Sequence, residues 1–255
     1  MQKQLFSAEM LVLAAALLLS GCGDSASSVA SSSTSTSTST STGTGYVAGA
    51  DTSSLAIRGA DVGWSTQLAS MGYVWEDQTQ TQLSDLQILK NHGVNLIRIR
   101  TFVNPSIVAG TLGVGNLNQA GSIALAQEAA AMGFQVMIDF HLSDTWADPG
   151  HQAPPAAWAN DNYAELLTDV SSYVTGFMQA LAADNIYPQY VQIGNEIDPG
   201  MLLPIGSTSN PTQLAGLINA GYSAVKAVSP TSKVVIHTSV VDNLGFEAQW
   251  NGKPG

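Results

Sequence analysis

Residues Tyr190 to Glu196 read YVQIGNE, closing on an amide and a carboxyl side by side shortly before Pro199-Gly200. The apolar–polar alternation ahead of them marks a strand with one covered face, and the Pro-Gly pair marks the turn that follows. In an α/β barrel, a carboxyl at the C-terminal end of a parallel strand stands at the mouth where chemistry is done. Half sheltered there, it can hold a proton near neutrality and pass it to a leaving oxygen, as breaking a glycosidic bond requires. Taken alone, Asn195-Glu196 also describes a surface Glu opening a turn, because a dipeptide carries little information.

Other reactive side chains share this address. Five β-rich runs can be read: Ala56–Asp61, Val94–Thr101, Phe134–Phe140, Tyr190–Gly194 and Lys233–Thr238. Asp61, Arg100, His141, Asn195-Glu196 and His237 fall at or just past their C-terminal ends, and five strand ends meeting at one mouth make a constellation. The chain has three arginines, Arg58, Arg98 and Arg100, all in the first two runs. Arg98 and Arg100 are two apart, so they project from one strand face and need carboxylate partners. Such a pair can orient a catalytic carboxylate or simply brace the strand, and both readings stand for Arg98.

Amphipathic helices must hold these strands. Gln80 to His92 puts Leu83, Leu86 and Leu89 on one side and stops at Gly93; Ser122 to Met132 stops at Gly133. Tyr163, Leu166, Val170, Phe177 and Leu181 mark a long helix after Pro154-Pro155. Asn210-Pro211 opens another as N-cap and first helical residue, reaching Ser229-Pro230. Strands alternating with helices imply parallel βαβ units. No glycine-rich phosphate fingerprint follows the first strand, so a (β/α)8 TIM barrel is favoured over a doubly wound nucleotide fold.

With 255 residues, 45% hydrophobic and 11% charged, the chain can bury one substantial core. A net charge of −11 argues against a nucleic-acid partner, which needs a basic face. Residues 1–21 look like a signal peptide: Lys3, then an apolar run from Met10 to Leu19, too short to span a bilayer. The run ends Leu19-Ser20-Gly21-Cys22, similar to a bacterial lipobox, in which Cys22 would be lipidated and become the mature N-terminus. The other reading is an ordinary secretory leader. Cys22 is the sole cysteine, so no internal disulfide forms. Residues 22–48 are a Ser/Thr-rich tether with little to bury, and residues 49–255 form the folded domain.

Several runs resemble the glycoside hydrolase family 53 endo-β-1,4-galactanases: GADVGW from Gly59, NHGVNLIRIRTFVNP from Asn91, DFHLSDTWADPGHQAPPAAW from Asp139, VQIGNEIDPGMLLP from Val191 and KVVIHT from Lys233. The resemblance implies a retaining (β/α)8 glycosidase that cuts β-1,4-galactan of the plant cell wall, the side chain of type I arabinogalactan in pectin. Glu196 then aligns with the proton donor on the fourth strand, and Asn195 with the amide that bonds the sugar 2-hydroxyl. His141, Asp144 and Trp146 fall in the loop that would line the cleft, with Trp146 stacking on a sugar or anchoring its loop. Asp61, Arg100 and His237 join them as candidate substrate contacts, His237 equally as a loop support. Trp75 and Trp158 are expected to pack. Leu142 departs from the aromatic residue that many relatives carry after the His, which would loosen one sugar contact.

Retention needs a second carboxyl, and in this family the nucleophile is a Glu at the end of the seventh strand. Only the first five βα units are expected within these residues, the other three needing on the order of 120–140 more. The nucleophile, and any calcium site of bacterial relatives, would then lie beyond Gly255, so no metal and no cofactor are expected here. The 255-residue chain by itself is expected to be inactive and poorly soluble, with both faces of its edge strands apolar. The expected location is outside the cytoplasm, tethered to a bacterial membrane through lipid on Cys22. Two alternatives remain: a lipid-tethered, non-catalytic glycan-binding protein, or a related β-mannanase or β-glucanase.

Overall fold

A computed structural model describes residues 55–106 and 116–239. The leader, Cys22 and the Ser/Thr tether lie outside the described residues, as do Asp242 and Glu247. The chain divides into two units. In the first, described over residues 76–82, the Asp77 carboxylate accepts from the Thr79 amide and hydroxyl and from the Thr81 amide, closing a tight turn. The second unit holds everything that follows.

Its centre is a five-stranded parallel sheet: β1 (Gly59–Asp61), β2 (Leu96–Thr101), β3 (Gln135–Phe140), β4 (Tyr190–Ile193) and β5 (Lys233–Val235). The strands lie in the order β1-β2-β3-β4-β5. Each pairs with the next in the chain, so the sheet winds in one direction. A doubly wound fold would reverse order at a switch point. All five strands are shorter than the β-rich runs suggest, and β5 ends at Val235, leaving His237 two residues past it.

The helices are α1 (Ser65–Ser70), α2 (Asp85–Asn91), α3 (Gln119–Ala131), α4 (Tyr163–Ala183) and α5 (Pro211–Val228). Polar caps set three of the starts. The Ser84 hydroxyl accepts from Gln87, Asn118 accepts from Gly121, and Asn162 forms a reciprocal capping box with Glu165. The helix expected from Gln80 therefore begins only at Asp85, while Gln80 itself has φ of 61°. At α5 the proline stands in the first turn as expected, but Asn210 turns its amide to the Gln213 side chain and makes no backbone cap.

The register sorts the sheet into two faces. Ile97, Ile99, Ile138, Phe140, Val191 and Ile193 belong to the apolar core with α3, α4 and α5. Phe140 meets Phe177 of α4 edge-on at 5.1 Å between ring centroids. On the other face Arg98 and Arg100 of β2 lie beside Asp139 of β3, and Asp139 beside Gln192 of β4. Across β2, β3 and β4 the face a barrel turns inward is polar toward its C-terminal end. Burying charge there is tolerable because each group finds a partner.

Where α5 crosses β4, contact is close enough to require glycine. A Cβ on Gly221 would stand 2.8 Å from Ile193 Cγ2, so even one added carbon must displace a packed branch. Gly221→Val is expected to destabilise the fold by about 1–3 kcal/mol through overpacking. Urea unfolding monitored by circular dichroism measures this, and an unchanged midpoint would contradict such tight helix–strand packing.

Candidate active site

Beyond the tips of β2, β3 and β4 the chain encloses a cavity of about 270 Å³, lined by Arg98, Arg100, Trp146, Ala147, Asp148, Asn195, Glu196 and His237. The backbone turns sharply at these tips. Gly194 has φ of 77°, Glu196 of 48° and Leu142 of 50°. For non-glycine residues the left-handed conformation costs about 1–2 kcal/mol each, so surrounding contacts must impose it.

The central group is the Arg98 guanidinium. Its Nη1 pairs with Asp61 Oδ2, and its Nη2 lies 2.6 Å from Asp139 Oδ2. Nη2 also donates to Gln192 Oε1 at 3.1 Å and Asn195 Oδ1 at 2.9 Å. Arg100 pairs with the same Asp61 oxygen at 2.9 Å, so the two arginines do project from one face. Gln192 Nε2 donates to Asp139 Oδ1 at 2.7 Å, to the Gly194 carbonyl at 2.9 Å and to Asn195 Oδ1 at 3.1 Å. Asn195 Nδ2 donates to the Ala147 carbonyl at 2.8 Å, which fixes which way this amide points.

Glu196 sits next to this fixed amide, half-buried at the cavity wall. Among the described residues no group hydrogen-bonds its carboxyl, so the backbone alone aims it. His237 Nδ1 lies 2.9 Å from Asn195 Oδ1 and 3.3 Å from the Glu196 amide nitrogen; it donates to the first or accepts from the second according to its tautomer. Burial, and then the neighbouring Arg98, push the His237 pKa down, favouring the neutral ring.

The candidate residues divide between wall and support. Asn195, Glu196, Arg100, Trp146 and His237 line the cavity. The Arg100 guanidinium lies 4.6 Å from the Trp146 ring centroid, and Phe102 and His141 meet that ring edge-on. One Trp146 face is therefore taken by Arg100. Asp61 is spent on the two arginines and on the Gly63 amide. His141 is buried, its Nδ1 accepting from Ala147 at 3.0 Å and its Nε2 lying 3.2 Å from Asp139. Asp144 accepts from the Asn104 and Ala156 amides at 2.9 Å each and clamps two loops. These three stand behind the wall, where loop backbone needed partners. Leu142 is buried in the core, away from any sugar contact. Trp158 is buried against Tyr173. The Tyr173 hydroxyl donates to the Phe102 carbonyl, and burial raises its pKa to about 12.

Sequence reading missed Asp139, Gln192 and Gln152. An acid in the apolar strand QVMIDF, one strand away from paired arginines, is the signal that finds Asp139. Gln192 occupies the matching position one strand further. Nothing local points to Gln152, which lies in a loop 43 residues from the carbonyl it bonds. Among the described residues no cluster of three or more His, Cys, Asp or Glu side chains could hold a metal ion.

A singly wound parallel sheet whose strand tips gather an acid, a locked amide and two arginines defines a class, the (β/α)8-barrel glycoside hydrolases. More particularly, residues 57–253 match Glycosyl hydrolase family 53, and the chain belongs to that family. It is 36% identical over 189 residues to the arabinogalactan endo-beta-1,4-galactanase A of Emericella nidulans, covering 73% of this chain and 52% of that protein. It is 36% identical over 203 residues to the arabinogalactan endo-beta-1,4-galactanase of Thermothelomyces thermophilus, covering 77% and 58%. The solved Ignisphaera aggregans GH53 catalytic domain superposes with a TM-score of 0.71 at 41% identity, over 76% of this chain and 55% of that one. A fungal beta-1,4-galactanase structure gives 0.66 at 33% identity, over 72% and 53%. The chain spans about half the length of the curated relatives it matches.

Electrostatics makes the support measurable. Burial opposes ionisation of Asp139, but His141, Arg98 and Arg100 outweigh it and hold the carboxyl below the usual carboxylate range. A depressed folded pKa contributes stability above the unfolded value, near pH 4, and that contribution is lost as pH falls through the lower folded value. Asp139→Asn is expected to lose about 3 kcal/mol at neutral pH by removing the buried charge partner of half-buried Arg98, and to show a flatter profile below pH 4. Urea unfolding of both proteins across pH 2–7 tests this; parallel curves would remove Asp139 from the network.

Proposed function

We propose that this chain supplies the acid/base half of a retaining endo-β-1,4-galactanase. The observation that carries the reading is the placement of Glu196: at the tip of the fourth strand, on the cavity wall, its carboxyl without a hydrogen bond among the described residues, beside an amide locked by Arg98 and Gln192. Membership of family 53 and the galactanase names of the relatives support β-1,4-galactan as the substrate.

In the first step the protonated Glu196 carboxyl gives its proton to the glycosidic oxygen while a second carboxylate attacks the anomeric carbon. The C–O bond to the departing chain breaks and a glycosyl-enzyme ester forms. Glu196, now ionised, then takes a proton from water as that water attacks the same carbon and frees the nucleophile. One Asn195 N–H is used by Ala147, and its second N–H is the donor for the sugar 2-hydroxyl. Trp146 offers its face away from Arg100 to a pyranose ring.

The nucleophile has no candidate among the described carboxylates near the cavity. Asp61 and Asp139 are paired with arginine, and Asp148 at the rim is held by His151 at 2.8 Å. That interaction keeps Asp148 below the ordinary range. The reading therefore draws the second carboxylate from outside the described residues. Lipidation at Cys22 and the tether after it suit an enzyme fixed to a membrane outside the cytoplasm, meeting a polymer too large to enter.

The test joins this chain to the C-terminal half of a family 53 relative, completing eight βα units, and compares it with its Glu196→Gln variant on β-1,4-galactan. Oligosaccharide release is expected from the parent, falling at least 10³-fold in the variant. A dinitrophenyl β-galactobioside, whose leaving group needs no proton, is expected to show an undiminished burst of dinitrophenol from the variant. Galactan binding with no release by the parent would establish the non-catalytic glycan binder instead.

A further inference from the structure

Gln152 reaches the catalytic strand tip from the loop after β3. It is 5% exposed, and its Nε2 donates to the Asn195 carbonyl at 2.8 Å and to the Glu196 carbonyl at 3.1 Å. Its own carbonyl accepts from the Leu203 amide at 2.8 Å, so the loop is fastened to the segment beyond Glu196 as well. From this geometry we propose that Gln152 is the positioning residue for Glu196, holding the left-handed backbone from which the acid/base carboxyl faces the cavity. The proposal rests on the galactanase reading and adds a residue to its machinery.

Three observations carry it. Glu196 has φ of 48°, a conformation that a side-chain-bearing residue leaves unless contacts hold it. Its carboxyl has no hydrogen bond among the described residues, so no side-chain contact corrects a backbone rotation. Among the described residues Gln152 is the one side chain that donates to the Asn195 and Glu196 carbonyls. One –NH2 group donating two bonds ties both peptide planes to a single rigid point. Burial keeps water from substituting for it, and an orphaned pair of carbonyls would turn outward to find solvent.

The strand tip has other anchors. Ile197 N bonds the His237 carbonyl at 3.0 Å and Gly194 N bonds the Phe140 carbonyl at 2.9 Å. Removing Gln152 is therefore expected to leave the fold standing while the Asn195–Glu196 peptides between those anchors rotate. A displacement of about 1 Å in a proton donor costs on the order of 10²-fold in rate.

The experiment uses the completed barrel described above, with Gln152→Ala and Gln152→Glu. Glutamate keeps the shape but, ionised, sets an oxygen against both carbonyls. On galactan both variants are expected to lose 10–100-fold in kcat with KM changed less than threefold. On the dinitrophenyl galactobioside the burst rate is expected to fall less than threefold, because glycosylation there needs no proton from Glu196. Equal losses on both substrates would make Gln152 a general structural prop and overturn the proposal, as would full galactan turnover by Gln152→Ala. If Glu196→Gln itself kept galactan activity, the galactanase assignment would fail first. Far-ultraviolet circular dichroism and unfolding midpoints show whether a variant has lost its fold; if Gln152→Ala does not fold, Gln152→Glu, which keeps the packing, decides.

Discussion

A single guanidinium joins four strand tips. Arg98 reaches Asp61 on β1, Asp139 on β3, and Gln192 and Asn195 on and after β4, while growing from β2 itself. A charge this sheltered cannot be left without partners, because desolvation would cost several kcal/mol. The demand for partners is thus a geometric constraint: the strands must sit in the register that brings two carboxylates and two amides to one point. The polar layer does not make the fold stable so much as make it single-valued at the end where the cavity opens.

The same constraint passes outward to the Glu196 carboxyl. Arg98 and Gln192 hold the Asn195 amide oxygen, and Ala147 takes one amide N–H, so residue 195 has one rotamer and one flip state. Glu196 follows in a strained backbone conformation, its carbonyl tied to Gln152 and its amide nitrogen 3.3 Å from the His237 ring. Among the described residues no group hydrogen-bonds its carboxyl. Proton donors need this arrangement, since a carboxyl already bonded to its neighbours has fewer lone pairs and less freedom to meet a departing oxygen. Charge pairing concentrates in Arg98 and Asp139, and the proposed proton donor stands one layer above them.

Several candidate sugar contacts also take protein partners in this construction. His141 between Asp139 and Ala147, Asp144 between two loop amides, and Asp61 between two arginines each hold something that lines the cavity. Motif resemblance gathers wall and support together because both are needed for the reaction, and only distance separates them. Trp146 serves both purposes, packing under Arg100 and facing the cavity.

Periodicity and punctuation in the amino-acid sequence were enough to mark the five strands, four of the five helices and the positions of Asn195 and Glu196 at a strand end. Those features arise from interactions within a few residues: alternation along a strand, an apolar stripe along a helix, Ser84 or Asn162 at a cap. Helix α2 shows the limit, since a leucine stripe extends its apparent start back to Gln80 while the Ser84 cap places it at Asp85. Tertiary structure alone decided that Asp139 belongs to the arginines, that His141 turns away from the cavity, and that Gln152 holds carbonyls 43 and 44 residues away. Which partner a polar side chain takes depends on register across strands and on loop closure, and neither is encoded in the spacing of neighbouring residues.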